Sequence, residues 1–97
     1  MESEDKEQQT MNDFTFTEKG WEHYLYWQTQ DRKTLKKINS LIDDIKRNGV
    51  MQGTGKPEPL KHRPGFSRRI DDVNRLVYDI DELQNIKIIS CKGHYED

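Results

Sequence analysis

The chain has 97 residues, 35% charged and 31% hydrophobic, with a formal net charge of -2 and a mean hydropathy of -1.14. That length suits one domain with a single modest core. With no signal peptide and no apolar run of membrane length, a cytoplasmic protein with no membrane partner is expected.

Residues 1–12, "MESEDKEQQTMN", contain no Leu, Ile, Val or Phe and carry a net charge of -3. Nothing in them offsets the entropy of ordering, so a disordered acidic tail is expected, with Met11 as an alternative start. The domain then spans 13–97.

"FTF" (14–16) alternates and reads as a short first strand. Thr17 suits a helix N-cap, with Glu18 in the first turn. In the helix that follows, Trp21, Tyr24, Leu25 and Gln28 share one face, and Gly20 weakens it. Its aromatics suit base stacking, but the chain has few other large apolar groups, so they are assigned to the core. His23 falls off this stripe and is expected to face solvent.

Asp31 can cap a second helix, whose stripe is Leu35, Ile38, Leu41, Ile42 and Ile45. Gly49 marks its stop. The break at 29–33 is short, which implies two antiparallel helices. Residues 32–47 carry a net +4, and the apolar stripe turns Lys36 and Lys37 outward.

"GVMQGTGKPEP" reads as a loop. Its glycines follow no strand and open no helix, which excludes a nucleotide-binding P-loop. Within "GKPEPLKH" (55–62), Glu58 sits between Pro57 and Pro59 on stiff, extended backbone, with Lys56, Lys61 and His62 close by.

Three further strands are expected at 66–70, 75–80 and 86–92. Phe66 and Ile70 mark the core face of the first, and Leu76, Tyr78 and Ile80 that of the second. Across an antiparallel ladder, opposed residues point to the same side. Pairing even with even numbers therefore places Arg69 and Arg75 together on the outer face. The last strand is apolar on both faces at Ile88 and Ile89, as an interior strand would be. Cys91 lies in this run and is read as a small buried hydrophobe. The order β-α-α-β-β-β gives an α+β domain, two antiparallel helices packed on an antiparallel sheet.

Residues 55–75 carry a net +3, and together with the second helix they suggest a polyanion partner. Lys36, Lys37, Lys61, His62, Arg68 and Arg69 are the phosphate-contacting candidates. There is no ligand set at metal spacing and no nucleophile elbow, so no metal or cofactor is expected. What remains is an acid, Glu58, a histidine, His94, and guanidinium groups including Arg75. That inventory suits RNA cleavage: one group deprotonates the 2′-hydroxyl, one protonates the leaving 5′-oxygen, and cations hold the phosphorane charge. Surface ion pairing is the plainer reading of the same residues.

"WEHYLYWQTQDRKTLKKINSLIDDIKR", "GTGKPEPLKH", "GFSRRI", "NRLVYDI" and the late "HY" resemble the YoeB toxins of the RelE/ParE superfamily, over about residues 14–95. The resemblance implies a fold like the small microbial ribonucleases. It also implies an mRNA interferase that cuts mRNA in the ribosomal A site and is inhibited by a YefM-type antitoxin. Toxin and antitoxin together would bind operator DNA, and a homodimer is expected. By the same resemblance Glu58 is the general base, Arg75 the catalytic arginine and His94 the general acid, and Tyr95 orients or stacks the substrate. Arg69 and Lys61 bind phosphate, and His62 follows in the same motif. Three features depart from the family: Glu96 and Asp97 follow the His–Tyr pair, "RPGFSRRI" lacks an aromatic between Phe66 and Ser67, and the acidic tail has no counterpart. Two other functions stay open, a gyrase-poisoning toxin of the ParE type and a non-catalytic RNA-binding module.

Overall fold

The computed structural model describes residues 13–94. The expected tail at 1–12, and Tyr95, Glu96 and Asp97, lie outside the described residues. The elements are β1 (Phe14–Phe16), α1 (Glu18–Gln30), α2 (Arg32–Asn48), β2 (Glu58–Pro59), β3 (Phe66–Arg69), β4 (Arg75–Ile80) and β5 (Ile86–Ser90). They form one sheet in the order β1-β5-β4-β3-β2 with the two helices packed on it, an α+β fold. No helix among the described residues is long and apolar enough to cross a membrane.

Two points of topology differ from expectation. The sheet gains a two-residue strand, β2, antiparallel to β3. Its sequence is Glu-Pro, too short to alternate, so no period could reveal it. And β1 runs parallel to β5, with Phe14 opposite Ile86 and Phe16 opposite Ile88. The chain leaves β1, crosses over through α1 and α2 to β2 at the far edge, and works back through β3 and β4 to β5 beside β1.

Thr17 ties the α1 start to the sheet. Its side chain accepts from Gly20 N at 3.0 Å, while its own N–H and hydroxyl donate to the Ile88 and Ile89 carbonyls. The break between the helices is a single residue. Asp31 N–H closes α1 by donating to Trp27 O, and the Asp31 carboxylate accepts from Lys33 N and Thr34 N to open α2.

The α1 stripe differs from the expected one. Trp21 and Leu25 are exposed, and the face turned to the sheet carries Gly20, His23, Tyr24 and Trp27. Gly20 is the reason. A Cβ there would stand 2.5 Å from Ile88 O, so only glycine lets α1 lie this close to β5. Trp27 is buried, and its indole N–H donates to Cys91 O at 2.9 Å. His23 is half-buried rather than solvent-facing, and its Nδ1 accepts from Cys91 N–H at 3.1 Å.

On α2, Ile38, Leu41, Ile42 and Ile45 are buried against Leu76, Tyr78, Ile86 and Ile88. Each such side chain contributes about 1.5–3 kcal/mol of transfer free energy. Gly49, at φ 96°, ends the helix by donating to Ile45 O. In β5 the pairing passes from Tyr78–Ile88 to Val77–Ser90, leaving Ile89 as a bulge. That extra residue is why the strand reads as apolar on two successive positions. Cys91 is buried as expected, and burial pushes its thiol up to about 12.

Candidate active site

The β3–β4 ladder pairs Phe66 with Tyr78, Ser67 with Val77, Arg68 with Leu76 and Arg69 with Arg75. Even positions point to the helices and the core. Odd positions point to the opposite face, so Arg69 and Arg75 emerge side by side there. β2 places Glu58 opposite Ser67, on that same outer face. The Arg75 Nη2 donates to Glu58 Oε2 at 2.8 Å and to the buried Ser67 hydroxyl at 3.1 Å. The Arg75 side chain is 22% exposed and that of Glu58 60%, so the guanidinium is seated while the carboxylate remains open to a ligand. Arg69 pairs with Asp72 in the following turn.

The segment carrying Glu58 is braced from both ends. Arg69 N–H donates to Gly55 O at 2.6 Å, and Leu60 N–H donates to Gly65 O at 2.9 Å. Lys56 holds φ 52°, a left-handed conformation unusual for a residue with a side chain. Lys61 and His62 are exposed in the tight loop beyond β2.

His94 reaches the same end of the sheet through its neighbour. Gly93 O accepts from Arg75 N–H at 3.1 Å, and Gly93 N–H donates to Asn74 Oδ1 at 2.7 Å. The backbone of the residue that holds Glu58 therefore also holds the peptide ahead of His94. A carboxylate and two guanidiniums thus share one frame with the backbone just ahead of His94.

Arg68 does not belong to this set. Parity turns it inward, and its side chain is fully buried. Its Nε donates to Tyr78 Oη at 2.9 Å; its Nη1 donates to Asp44 Oδ2 at 2.5 Å and Thr54 O at 2.9 Å; its Nη2 donates to Gly49 O at 2.8 Å and Gln52 O at 2.6 Å. Those contacts engage all five of its donors. The phosphate-contacting role expected for Arg68 is corrected to a structural one. It gathers the 49–55 loop, which leads to Glu58. Desolvation raises the Asp44 pKa, but hydrogen bonds from Arg68, Thr54 N–H and Asn48 outweigh it and leave the net shift downward. Tyr78 Oη in turn donates to Val50 O at 2.6 Å.

Lys36 and Lys37 are exposed on α2, which covers the core face of the sheet. They lie across the sheet from Glu58 and Arg75 and form a separate basic surface. Sequence reasoning passed over Ser67, Asn74 and Asp44. Only the parity of Ser67, shared with Arg69, could have drawn attention to it.

The family model described as "YoeB-like toxin of bacterial type II toxin-antitoxin system" matches residues 16–95. The chain belongs to the YoeB toxin family. The Escherichia coli K12 Toxin YoeB is 48% identical over 82 residues, 82% of this chain and 95% of that protein. The Streptomyces coelicolor Toxin YoeB is 51% identical over 83 residues, 84% of this chain and 96% of that protein. Among solved structures, a Staphylococcus aureus YoeB dimer aligns with TM-score 0.81 and 46% identity over 89% of this chain and 100% of that one. A heterotetrameric YoeB-YefM toxin-antitoxin complex from the same organism aligns with TM-score 0.78 and 48% identity, covering 89% of this chain and 99% of that one. The described sheet and helices are thus the YoeB architecture.

Proposed function

We propose that this YoeB-family chain is a ribosome-dependent endoribonuclease that cuts mRNA in the A site and so inhibits translation. The observation that carries the reading is the 2.8 Å Glu58–Arg75 pair, set beside Arg69 and sharing a backbone clamp with the peptide before His94. Glu58 takes the proton of the 2′-hydroxyl, and the resulting oxygen attacks the adjacent phosphorus. Arg75 leaves Glu58 for the phosphate, and with Arg69 it holds the charge of the five-coordinate phosphorane. Protonated His94 gives its proton to the departing 5′-oxygen. The products are a 2′,3′-cyclic phosphate and a 5′-hydroxyl. Tyr95 orients or stacks the flanking base, and Lys61 and His62 bind neighbouring phosphates.

The Glu58 carboxylate is fixed in extended backbone by two prolines and the β3 ladder, so little freedom is lost when it meets the 2′-hydroxyl. The bacterial partners proposed are an antitoxin of the YefM type, operator DNA through the toxin–antitoxin complex, and a second copy of the chain. Support comes from the YoeB-YefM complex and the YoeB dimer among the structural relatives. The site of action is the cytoplasm, where translating ribosomes are found.

The test is expression of Glu58→Gln, Arg75→Ala and His94→Ala in bacteria, followed by growth and by primer extension on mRNA. Each variant should lose cleavage by about 100-fold or more, grow normally and still bind antitoxin. Wild-type toxicity in all three overturns the reading. RNA binding by the parent chain without any cleaved product on ribosomes would make it a binding module instead.

A further inference from the structure

The turn between β3 and β4 does more than connect two strands. Asn74 sits at its end with both side-chain functions engaged. Its Nδ2 donates to Asp71 Oδ1 at 3.2 Å and Oδ2 at 3.1 Å, while its Oδ1 accepts from Gly93 N–H at 2.7 Å. The Asp71 carboxylate is itself anchored, accepting from Val73 N–H at 2.8 Å and Asn74 N–H at 2.7 Å. Burial raises the Asp71 pKa, but these hydrogen bonds outweigh it and leave it lowered. The backbone of Asn74 is pinned as well, its carbonyl accepting from Ile70 N–H at 3.0 Å and Asp71 N–H at 3.2 Å.

Gly93 is the residue this turn grips. It follows the end of β5 and holds φ 82°, a left-handed conformation that glycine adopts readily and, having no Cβ, also leaves readily unless something fixes it. Two groups fix it, from consecutive residues. Arg75 N–H binds its carbonyl at 3.1 Å and the Asn74 amide oxygen binds its N–H. The next residue is His94. The Gly93 N–H and C=O belong to the peptides on either side of its Cα, so one hydrogen bond would leave φ and ψ of Gly93 free, while the two together tie both flanking peptides to the β3–β4 turn. The direction in which His94 departs from the sheet is then set jointly by the Arg75 N–H and the side chain of Asn74.

We propose that Asn74 is a positioning residue for His94. It holds the peptide before Gly93 while the Arg75 N–H holds the one after it, so that the imidazole stands over the phosphate held by Arg75 and Arg69. The proposal rests on the ribonuclease reading for its catalytic consequence, but its structural half is independent of it. Asn74 touches no substrate. It converts the rigid Asp71 turn into a fixed origin for the backbone that leads into His94.

The experiment has two arms. In the first, amide exchange is measured on the purified full chain. Asn74→Ala should lower the protection of the Gly93 amide about tenfold while β4 amides such as Val77 stay unchanged. Unchanged Gly93 protection overturns the proposal, whatever the chain does to RNA. In the second, mRNA cleavage on programmed ribosomes is followed for Asn74→Ala, His94→Ala and the double variant. The turnover rate of Asn74→Ala should fall about tenfold with KM within twofold of the parent. In the His94→Ala background the same substitution should cost less than twofold, because there is no imidazole left to place. Equal losses in both backgrounds overturn the proposal, since they mark general damage.

The exchanged pair Asp71→Asn/Asn74→Asp retains a donor facing an acceptor across the turn and an acceptor for Gly93 N–H. It should restore protection and turnover to within about threefold of the parent. Failure of rescue in a chain that melts like the parent also counts against the proposal. If the parent chain cleaves nothing, the ribonuclease reading fails and the exchange arm alone decides the role of Asn74.

Discussion

Arg69 and Arg75 stand directly opposite each other across the β3–β4 ladder, and each is held by a different carboxylate. Like charges at opposed ladder positions repel. Asp72 and Glu58 offset that repulsion while no phosphate is present. A phosphate entering between the guanidiniums would take over the same task.

Arg69→Ala should therefore weaken cleavage about ten- to hundredfold, the loss of one charge-assisted hydrogen bond. Asp72→Ala should have the opposite effect on affinity, since it releases Arg69 for the substrate. Filter binding of a short RNA and single-turnover cleavage distinguish the two. Equal, weakened binding in both variants would contradict the arrangement.

Arg68→Ala should be among the most damaging single changes in the chain. It takes from Asp44 its charge partner, leaving it only Thr54 N–H and Asn48, and strands three loop carbonyls that now share one guanidinium. Removing one partner of a buried pair costs about 3–5 kcal/mol, a fall in Tm on the order of 20 °C for a domain of this size. Arg68→Lys should rescue little, because one ammonium cannot reach five acceptors. Thermal unfolding of both variants provides the check.

The alternation of β3 and β4 made the outward pairing of Arg69 and Arg75 legible, because a period of two assigns every residue a side. The same alternation turns Arg68 inward, against the habit of counting every arginine in a basic stretch as surface. The α2 stripe was legible because four of its five apolar positions are fully covered. The α1 face was not. Gly20 contributes to packing by having no side chain, and an apolar count cannot register it. The parallel β1–β5 contact and the His94 clamp depend on residues far apart in sequence, and no local pattern encodes them.

Gly20→Ala should destabilise the fold by about 1–3 kcal/mol, even though alanine favours helices. The added methyl meets the Ile88 carbonyl, and α1 must retreat from β5 to admit it. A denaturant midpoint that rises on this substitution would show that α1 has room to spare.

His23 should give the fold a pH dependence in the mildly acidic range. Burial, then the positive charges of Lys19 and Lys92, lower its pKa, while Glu22 opposes them weakly. An unfolded histidine titrates near 6.5. Between the lowered folded value and that point the unfolded chain binds more protons, so stability rises with pH. Acidification through this interval should destabilise the domain, and the loss should level off below the folded value. His23→Gln should flatten that slope in denaturant titrations at several pH values.

Lys36→Glu/Lys37→Glu should weaken ribosome binding without touching Glu58 or Arg75, because α2 lies across the sheet from them. Two lost phosphate contacts should reduce the slope of log affinity against log salt by about 1.5. Binding that is unchanged between low and high salt would exclude α2 from the interface.

The pairing of β1 with β5 has a consequence for biosynthesis. Thr17 finds its hydroxyl partner 72 residues further along the chain. On a translating ribosome the opening strand and the first helix must wait, uncovered, until nearly the whole domain has emerged. No partial product can tie Gly93 to the β3–β4 turn, so the Glu58–Arg75 end of the sheet is complete only once the last strand has emerged.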